Sequence, residues 1–208
     1  MNLFLIRHTE VEGAAGRCIG QSDVRLSEKG KQEMQMLLEC LKPIAPTRLI
    51  SSDLSRCLIL AERLGKALSL TVEVRSEWRE VSFGAWENQT WDALRTEDPE
   101  RFEAWVKDFV TVAPPEGESF LKLQSRIKAE LNALIESPSE SVLVITHAGA
   151  IRAAISSAIG LPLERAFSIY LNYGALVHLN WNAGIWILRN LNNMLLSSPC
   201  DQPTTYSR

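Results

Sequence analysis

The chain has 208 residues, 46% of them hydrophobic and 23% charged, with a formal net charge of −3. This is the make-up of a soluble globular protein of one domain with enough chain to bury a core. It excludes a partner captured by overall positive charge, so neither nucleic acid nor a membrane surface is expected, and any anionic ligand must be held by local cations.

The N-terminus has no basic region ahead of a long apolar stretch, which argues against a secretory signal, and the apolar run 3–6 is far too short to span a bilayer. Cys18, Cys40, Cys57 and Cys200 are scattered without CxxC spacing. Reduced thiols in a cytoplasmic protein are expected, not a disulfide framework or a zinc site.

In chain order, a strand near 2–6 delivers Arg7-His8 to its carboxyl end. A helix over 27–42 opens at Ser27, a natural N-cap, and carries Met34, Leu37, Leu38 and Leu41 on one face. A strand near 48–50 leads through Ser51-Ser52-Asp53 into a helix over 53–67, and a strand near 71–74 follows. The segment 86–117 differs in kind. It combines Trp86, Trp91 and Trp105 with many charges and ends at Pro114-Pro115-Glu116-Gly117, which predicts a helical insertion or lid over the sheet ends. Apolar residues at helical spacing predict a helix over 118–136. The best strand of the chain, 141–146, runs into His147 and an Ala- and Ile-rich helix over 149–159. Strands near 174–180 and 184–188 flank Asn182-Ala183-Gly184, a hairpin signal. The polar stretch 191–208 is expected to be a weakly ordered tail beyond a single domain of residues 1–190. Alternation of strands and helices predicts an α/β fold with a largely parallel sheet.

The chemistry-bearing residues cluster at predicted strand ends. His8 and His147 are two of only three histidines, and parallel α/β sheets bind ligands at the carboxyl ends of their strands. Thr146-His147-Ala148-Gly149 reads as strand, tight turn and helix start, where free backbone N–H groups make an anion site. A protonated imidazole there would bind a phosphoryl oxygen. Arg56 sits in the first turn of a helix, where a cation opposes the helix dipole at a cost of roughly 0.3–1 kcal/mol. Facing an anion explains that placement, and an ion pair to Asp53 or Glu62 is the plainer alternative. Glu80 lies among Trp78, Val81 and Phe83, and desolvation of a carboxyl keeps a proton available near neutral pH; by spacing alone Glu77 or Glu87 would serve equally. Together these groups outline a phosphoryl-transfer site without a metal or other cofactor. Two arginines bind phosphate oxygens, one imidazole attacks phosphorus, the other stabilises charge, and a carboxyl protonates the leaving group. No Walker A, HExxH or DxD-type pattern competes. His178, in the late strand, reads as structural.

The motifs in order resemble the histidine phosphatase (phosphoglycerate mutase-like) superfamily: Leu5-Ile6-Arg7-His8-Thr9, Ser51-Ser52-Asp53-Leu54-Ser55-Arg56-Cys57, Arg79-Glu80-Val81-Ser82-Phe83-Gly84-Ala85-Trp86-Glu87, Pro115-Glu116-Gly117-Glu118-Ser119 and Val144-Ile145-Thr146-His147-Ala148-Gly149. The resemblance implies a three-layer α/β/α sandwich. It implies His8 as the nucleophile, Arg7, Arg56 and His147 as phosphoryl ligands, Glu80 as proton donor and then base, and the backbone of Ala148 as a further phosphate contact. The stretch Cys18-Ile19-Gly20-Gln21-Ser22-Asp23-Val24-Arg25-Leu26, with Thr9, is similar to the α-ribazole phosphatase branch and implies that Gly20 and Gln21 contact phosphate or substrate. It departs from that branch at Ile19, where an aromatic is usual, and at Arg25, where proline is usual. Asn88 stands where many members have glycine.

The leading expectation is a phosphomonoesterase for a small-molecule phosphate ester, with α-ribazole-5′-phosphate first. The alternatives are a broad-specificity sugar-phosphate phosphatase, a phosphoglycerate mutase, disfavoured by the missing His-Gly-Glu start, and a non-catalytic phosphometabolite sensor. Exposed tryptophans or the late edge strand could support a homodimer.

Overall fold

A computed structural model of the protein describes residues 1–193. Its elements run β1 (Asn2–Arg7), α1 (Glu28–Leu41), β2 (Arg48–Ser51), α2 (Ser55–Leu68), β3 (Val72–Val74), α3 (Trp91–Glu97), α4 (Pro99–Lys107), α5 (Phe120–Glu136), β4 (Ser141–Thr146), α6 (Ala148–Ile159), β5 (Leu176–Asn182) and β6 (Ile185–Asn193). They build one six-stranded sheet in the order β3-β2-β4-β1-β5-β6. The first four of these strands are parallel to one another, whereas β5 and β6 are antiparallel additions.

Alternation along the strands sorts the core into two layers, because successive side chains leave a strand on opposite faces. Leu3, Leu5, Val142 and Val144 pack on one face with Leu123, Ile127 and Leu131 of α5 and Ile151 and Ile155 of α6. Ile6, Leu143 and Ile145 pack on the other with Met34 and Leu37 of α1 and Leu60 and Leu64 of α2. The expected three-layer α/β/α sandwich is the fold. Strand β4 is buried along its whole length, as a central strand covered on both faces must be.

Local chemistry sets the element ends. The Ser27 side chain accepts from the Gly30 N–H at 2.9 Å and caps α1. Gly30 is required by a close approach: a Cβ there would meet the Glu10 carbonyl oxygen. The β5–β6 hairpin turns through Ala183 and Gly184, both at positive φ, the geometry that suits a two-residue turn between right-twisted strands. Strand β6 continues to Asn193, opposite Leu176. The stretch read as a polar tail from 191 therefore begins inside a strand, because pairing to β5 outweighs its polar composition; residues 194–208 lie outside the described residues.

Segment 86–117 forms α3 and α4. Their aromatic rings close on one another and on Phe83: Trp91 stacks on Trp105 at 5.8 Å and 9°, and Phe83 meets Trp91 edge-on at 5.6 Å. Among the described residues no helix is long and apolar enough to cross a membrane, and none of Cys18, Cys40 and Cys57 forms a disulfide; Cys200 lies outside them.

Candidate active site

Strands β1 and β4 are neighbours in parallel register, Arg7 opposite Thr146, so the residues that follow them, His8 and His147, leave the sheet side by side. Their ring centroids are 5.2 Å apart. The His8 backbone is pinned on both sides, its N–H donating to the Thr146 carbonyl at 2.9 Å and its carbonyl accepting from Gly174 at 3.2 Å.

His8 is 6% exposed. Its Nδ1 lies 2.8 Å from the Thr9 carbonyl oxygen. A carbonyl only accepts, so this contact assigns the proton to Nδ1 and leaves the Nε2 lone pair available. Burial holds the His8 pKa well below the ordinary histidine value, and the charges of Arg56 and Arg7 push the same way. The ring is neutral at neutral pH, the state a nucleophile needs.

Two guanidinium groups flank it. Arg56, 1% exposed, donates from Nη1 to the Ser22 carbonyl at 2.7 Å, from Nη2 to the Gly20 carbonyl at 2.6 Å and from Nε to His147 Nδ1 at 3.2 Å. Arg7 donates to the Leu171 carbonyl at 2.6 Å and lies 3.9 Å over the Tyr173 ring. Its Nε is buried without a hydrogen-bond partner. Neither arginine forms an ion pair among the described residues. Arg56 is buried and Arg7 half-buried, and a charge taken from water without an ion pair costs several kcal/mol, so the pair favours an incoming anion. The alternative ion pair of Arg56 with Asp53 does not form; Asp53 takes Arg79 instead.

The Glu80 carboxylate accepts from the N–H of Gly149 at 3.0 Å and from its own neighbour Val81 at 2.9 Å. It sits at the N-terminus of α6, between N–H donors and near Arg7, where bulky apolar neighbours were expected. Side chains flanking a residue in sequence need not surround its carboxyl group, and a helix N-terminus attracts a carboxylate. The expected open anion site at the start of α6 is thus partly filled from within the chain. Glu87 plays a different part. It accepts from the Gln21 N–H at 2.9 Å and the Ser22 hydroxyl at 2.8 Å and holds the 20–22 loop.

A cavity of about 180 Å³ opens here, lined by Arg7, His8, Gly20, Arg56 and Glu80 together with Val11, Ala14, Arg17, Ile19, Phe83, Trp91 and Tyr173. His147, Gln21 and Ala148 are not among its walls. His147 is fully buried, with Nδ1 facing Arg56 Nε and Nε2 at 2.9 Å from Ser52 Oγ. Burial first, then the charge of Arg56, holds its pKa well below the ordinary value. The ring expected to be protonated is neutral in this state because it is buried and a guanidinium already occupies its Nδ1 edge. The Gln21 side chain donates to the Glu80 carbonyl at 3.0 Å and accepts from Arg79, contacts that brace the acid loop. Ala148 opens α6 and is 8% exposed.

Several contributors left no clear mark in the sequence. Arg126 of α5 donates to the backbone carbonyls of Glu77, Arg79 and Glu80 and pairs with Glu118 at 2.6 Å, whose carboxylate also accepts from the Ser82 N–H. This clamp fixes the loop that carries Glu80. Tyr173 stands 5.6 Å from the His8 ring and covers Arg7. Asn88 takes φ +66°, a left-handed conformation that asparagine tolerates in place of glycine. His178 stacks on Phe4 and bonds Asn2, the structural position read for it. Among the described residues no three His, Cys, Asp or Glu side chains are grouped to hold a metal ion.

A family model of the histidine phosphatase superfamily (branch 1) matches residues 3–194. The probable phosphoglycerate mutase GpmB of Proteus mirabilis is 30% identical over 193 residues, covering 90% of this chain and 88% of the relative. The solved α-ribazole phosphatase from Shigella flexneri superposes with a TM-score of 0.86 at 28% identity, covering 92% of this chain and 96% of that one. A mycobacterial glucosyl-3-phosphoglycerate phosphatase superposes with a TM-score of 0.82 at 28% identity, covering 92% and 98%. With the motif order, the fold and the pair of imidazoles at adjacent strand ends, these matches place the chain in the histidine phosphatase superfamily, as a phosphatase enzyme.

Proposed function

We propose that the protein is a metal-independent phosphomonoesterase that works through a phosphohistidine on His8, with α-ribazole-5′-phosphate as its preferred ester. The observation that carries this reading is a neutral His8, its Nε2 free, between the buried Arg56 and the half-buried Arg7, neither of which forms an ion pair among the described residues. The phosphoryl group docks on Arg7 and Arg56. His8 Nε2 attacks phosphorus in line as the ester P–O bond breaks, and Glu80 gives its proton to the departing alkoxide. Water then attacks the phosphohistidine, Glu80 takes a proton from it, the P–N bond breaks, and inorganic phosphate leaves with His8 restored.

Two features of the apo geometry bear on the cycle. An incoming phosphoryl dianion beside His147 favours the protonated form of that ring, which lets it add a donor to the phosphoryl group. Arg56 spends its donors on the 20–22 loop, so that loop and the phosphoryl group compete for, or share, the same guanidinium.

The choice of ester is supported by Thr9 and the Cys18–Leu26 stretch, and by likeness to a phosphatase named for that substrate. The likenesses to GpmB and to glucosyl-3-phosphoglycerate phosphatase favour a phosphoglycerate-type substrate as the second reading. Phosphate release by purified protein from a panel of both ester types decides between them. In the same panel His8→Ala is expected to abolish release while the circular-dichroism spectrum is retained, and EDTA is expected to leave wild-type release unchanged. Full activity in the alanine variant, or loss with EDTA, overturns the mechanism.

A further inference from the structure

Tyr173 belongs to none of the motifs that carry the site, yet it lines the cavity beside both Arg7 and His8. The Arg7 guanidinium carbon lies 3.9 Å over the centre of its ring, and the His8 ring stands 5.6 Å away at 52°. We infer that Tyr173 is a positioning residue: its ring face holds Arg7 where a carboxylate would otherwise be needed, and so keeps the edge of the guanidinium for the phosphoryl group. The inference rests on the phosphatase reading and adds a residue that acts through Arg7.

Burial pushes the Arg7 pKa below its ordinary value, because a charge taken from water is disfavoured. Two kinds of partner offset that cost. A carboxylate accepts the in-plane N–H groups, which neutralises the cation and occupies the donors that phosphoryl oxygens need. An aromatic face attracts the cation through its quadrupole and accepts none of those N–H groups. Arg7 has the second arrangement. It forms no ion pair among the described residues. Its Nη1 goes to the Leu171 carbonyl, and its Nε is buried without a hydrogen-bond partner. The guanidinium is thus held by its face and by one corner, with a donor left over. The ring that holds it is itself fixed. Gly174, at φ +67°, donates its N–H to the His8 carbonyl at 3.2 Å, and the Arg7 N–H donates to the Ala175 carbonyl at 3.0 Å. The turn after Tyr173 is therefore tied to the strand end that carries Arg7 and His8. On the other side, Arg152 of α6 donates from Nε to the Ile169 carbonyl at 2.9 Å. A cation ordered in advance loses little freedom when the anion arrives.

The test separates the ring face from the hydroxyl group. Tyr173→Phe keeps the face and Tyr173→Leu removes it, with Tyr173→Met as the second variant should the leucine variant fold poorly by circular dichroism. Binding of inorganic phosphate is read by calorimetry, which does not depend on turnover, and kcat and KM are read on one alkyl phosphate ester. Tyr173→Phe is expected to bind phosphate within about twofold of wild type, whereas Tyr173→Leu or Tyr173→Met should bind about 3- to 30-fold more weakly, the scale of a cation–π contact. The same loss should appear in KM, with a smaller one in kcat, because Arg7 holds the phosphoryl group both before and during transfer. A phenylalanine variant as weak as the leucine variant assigns the effect to the hydroxyl group and overturns the inference. Phosphate affinity unchanged in a folded leucine or methionine variant, or a loss confined to kcat, overturns it as well. No phosphate released from any ester by the wild type counts instead against the phosphatase reading, and the calorimetric comparison still decides the role of Tyr173.

Discussion

The position of Glu80 can be tested without touching its charge. A Cβ added to Gly149 would stand 2.0 Å from Glu80 Oε1 and 3.0 Å from Cδ, so Gly149→Ala must push the carboxylate away by about 1 Å or more to reach ordinary contact distance. The carboxylate end is the far tip of a flexible side chain, and it can swing. The swing removes the hydrogen bond from the Gly149 N–H, a charge-assisted bond of about 1.5–3 kcal/mol. Alanine returns up to roughly 0.8–1 kcal/mol of helix propensity at the start of α6. The variant should therefore lose about 1–2 kcal/mol and remain folded, with a Tm lower by roughly 2–8 °C. Activity should suffer far more, because a displacement of about 1 Å can cost about 10²-fold and the whole effect of a general acid is about 10²–10⁴-fold. The informative assay is kcat/KM, which reports steps through phosphoryl transfer to His8, on an alkyl ester and on 4-nitrophenyl phosphate. The alkyl ester needs its alkoxide protonated, whereas nitrophenolate leaves unaided. A loss of about 10²-fold on the first and less than tenfold on the second is expected. Equal losses on both, or none on the alkyl ester, would refute the assignment of Glu80 as acid.

Glu80→Gln should lower kcat/KM on alkyl esters by about 10²–10⁴-fold; a normal rate would move the role to another carboxyl group, with Glu77 and Glu87 next to test. Arg126→Met removes the clamp on the Glu77–Glu80 carbonyls and should reduce kcat more than it changes KM, with the largest loss on alkyl esters; a pure KM effect would show that the clamp does not position the acid. Stability should depend on pH through both buried imidazoles. Their folded pKa values are depressed below the ordinary histidine value, so the unfolded chain takes up protons first as pH falls. Stability is then fully present above about pH 6.5 and declines below it by up to about 1.4 kcal/mol per pH unit for each ring. Thermal melts between pH 7.5 and 5 should show this fall, and a smaller fall for His8→Ala; a variant as steep as wild type would mean that His8 titrates alike folded and unfolded.

The strand ends are the most readable part of this chain. His8 and His147 each follow a β-rich run, and parallel pairing of two such runs leaves their next residues adjacent, so the juxtaposition follows from topology alone. Helices α1, α2, α5 and α6 are readable because apolar spacing and caps such as Ser27 act locally. What escapes is contact between distant segments. Arg126 looks like any charged helix residue, and only folding brings it under the Glu80 loop. Tyr173 lies in an irregular stretch without periodicity. Gln21 and Glu87, 66 residues apart, form their contact through a loop whose path no local rule dictates. The environment of Glu80 is misleading in sequence for the same reason: its neighbours along the chain are apolar, but its carboxylate lies against the start of α6. The far end of strand β6 is hidden because Asn192 and Asn193 read as a tail until pairing with β5 is considered.

The most direct test of the central claim is to catch the phosphoryl group on the enzyme. Protein mixed with a phosphate ester, quenched within one turnover under alkaline conditions and digested for mass spectrometry, should carry an acid-labile phosphoryl group on the peptide that contains His8, and His8→Ala should carry none. Turnover that proceeds with no such adduct on that peptide at any quench time, or an adduct on another residue, would contradict the account.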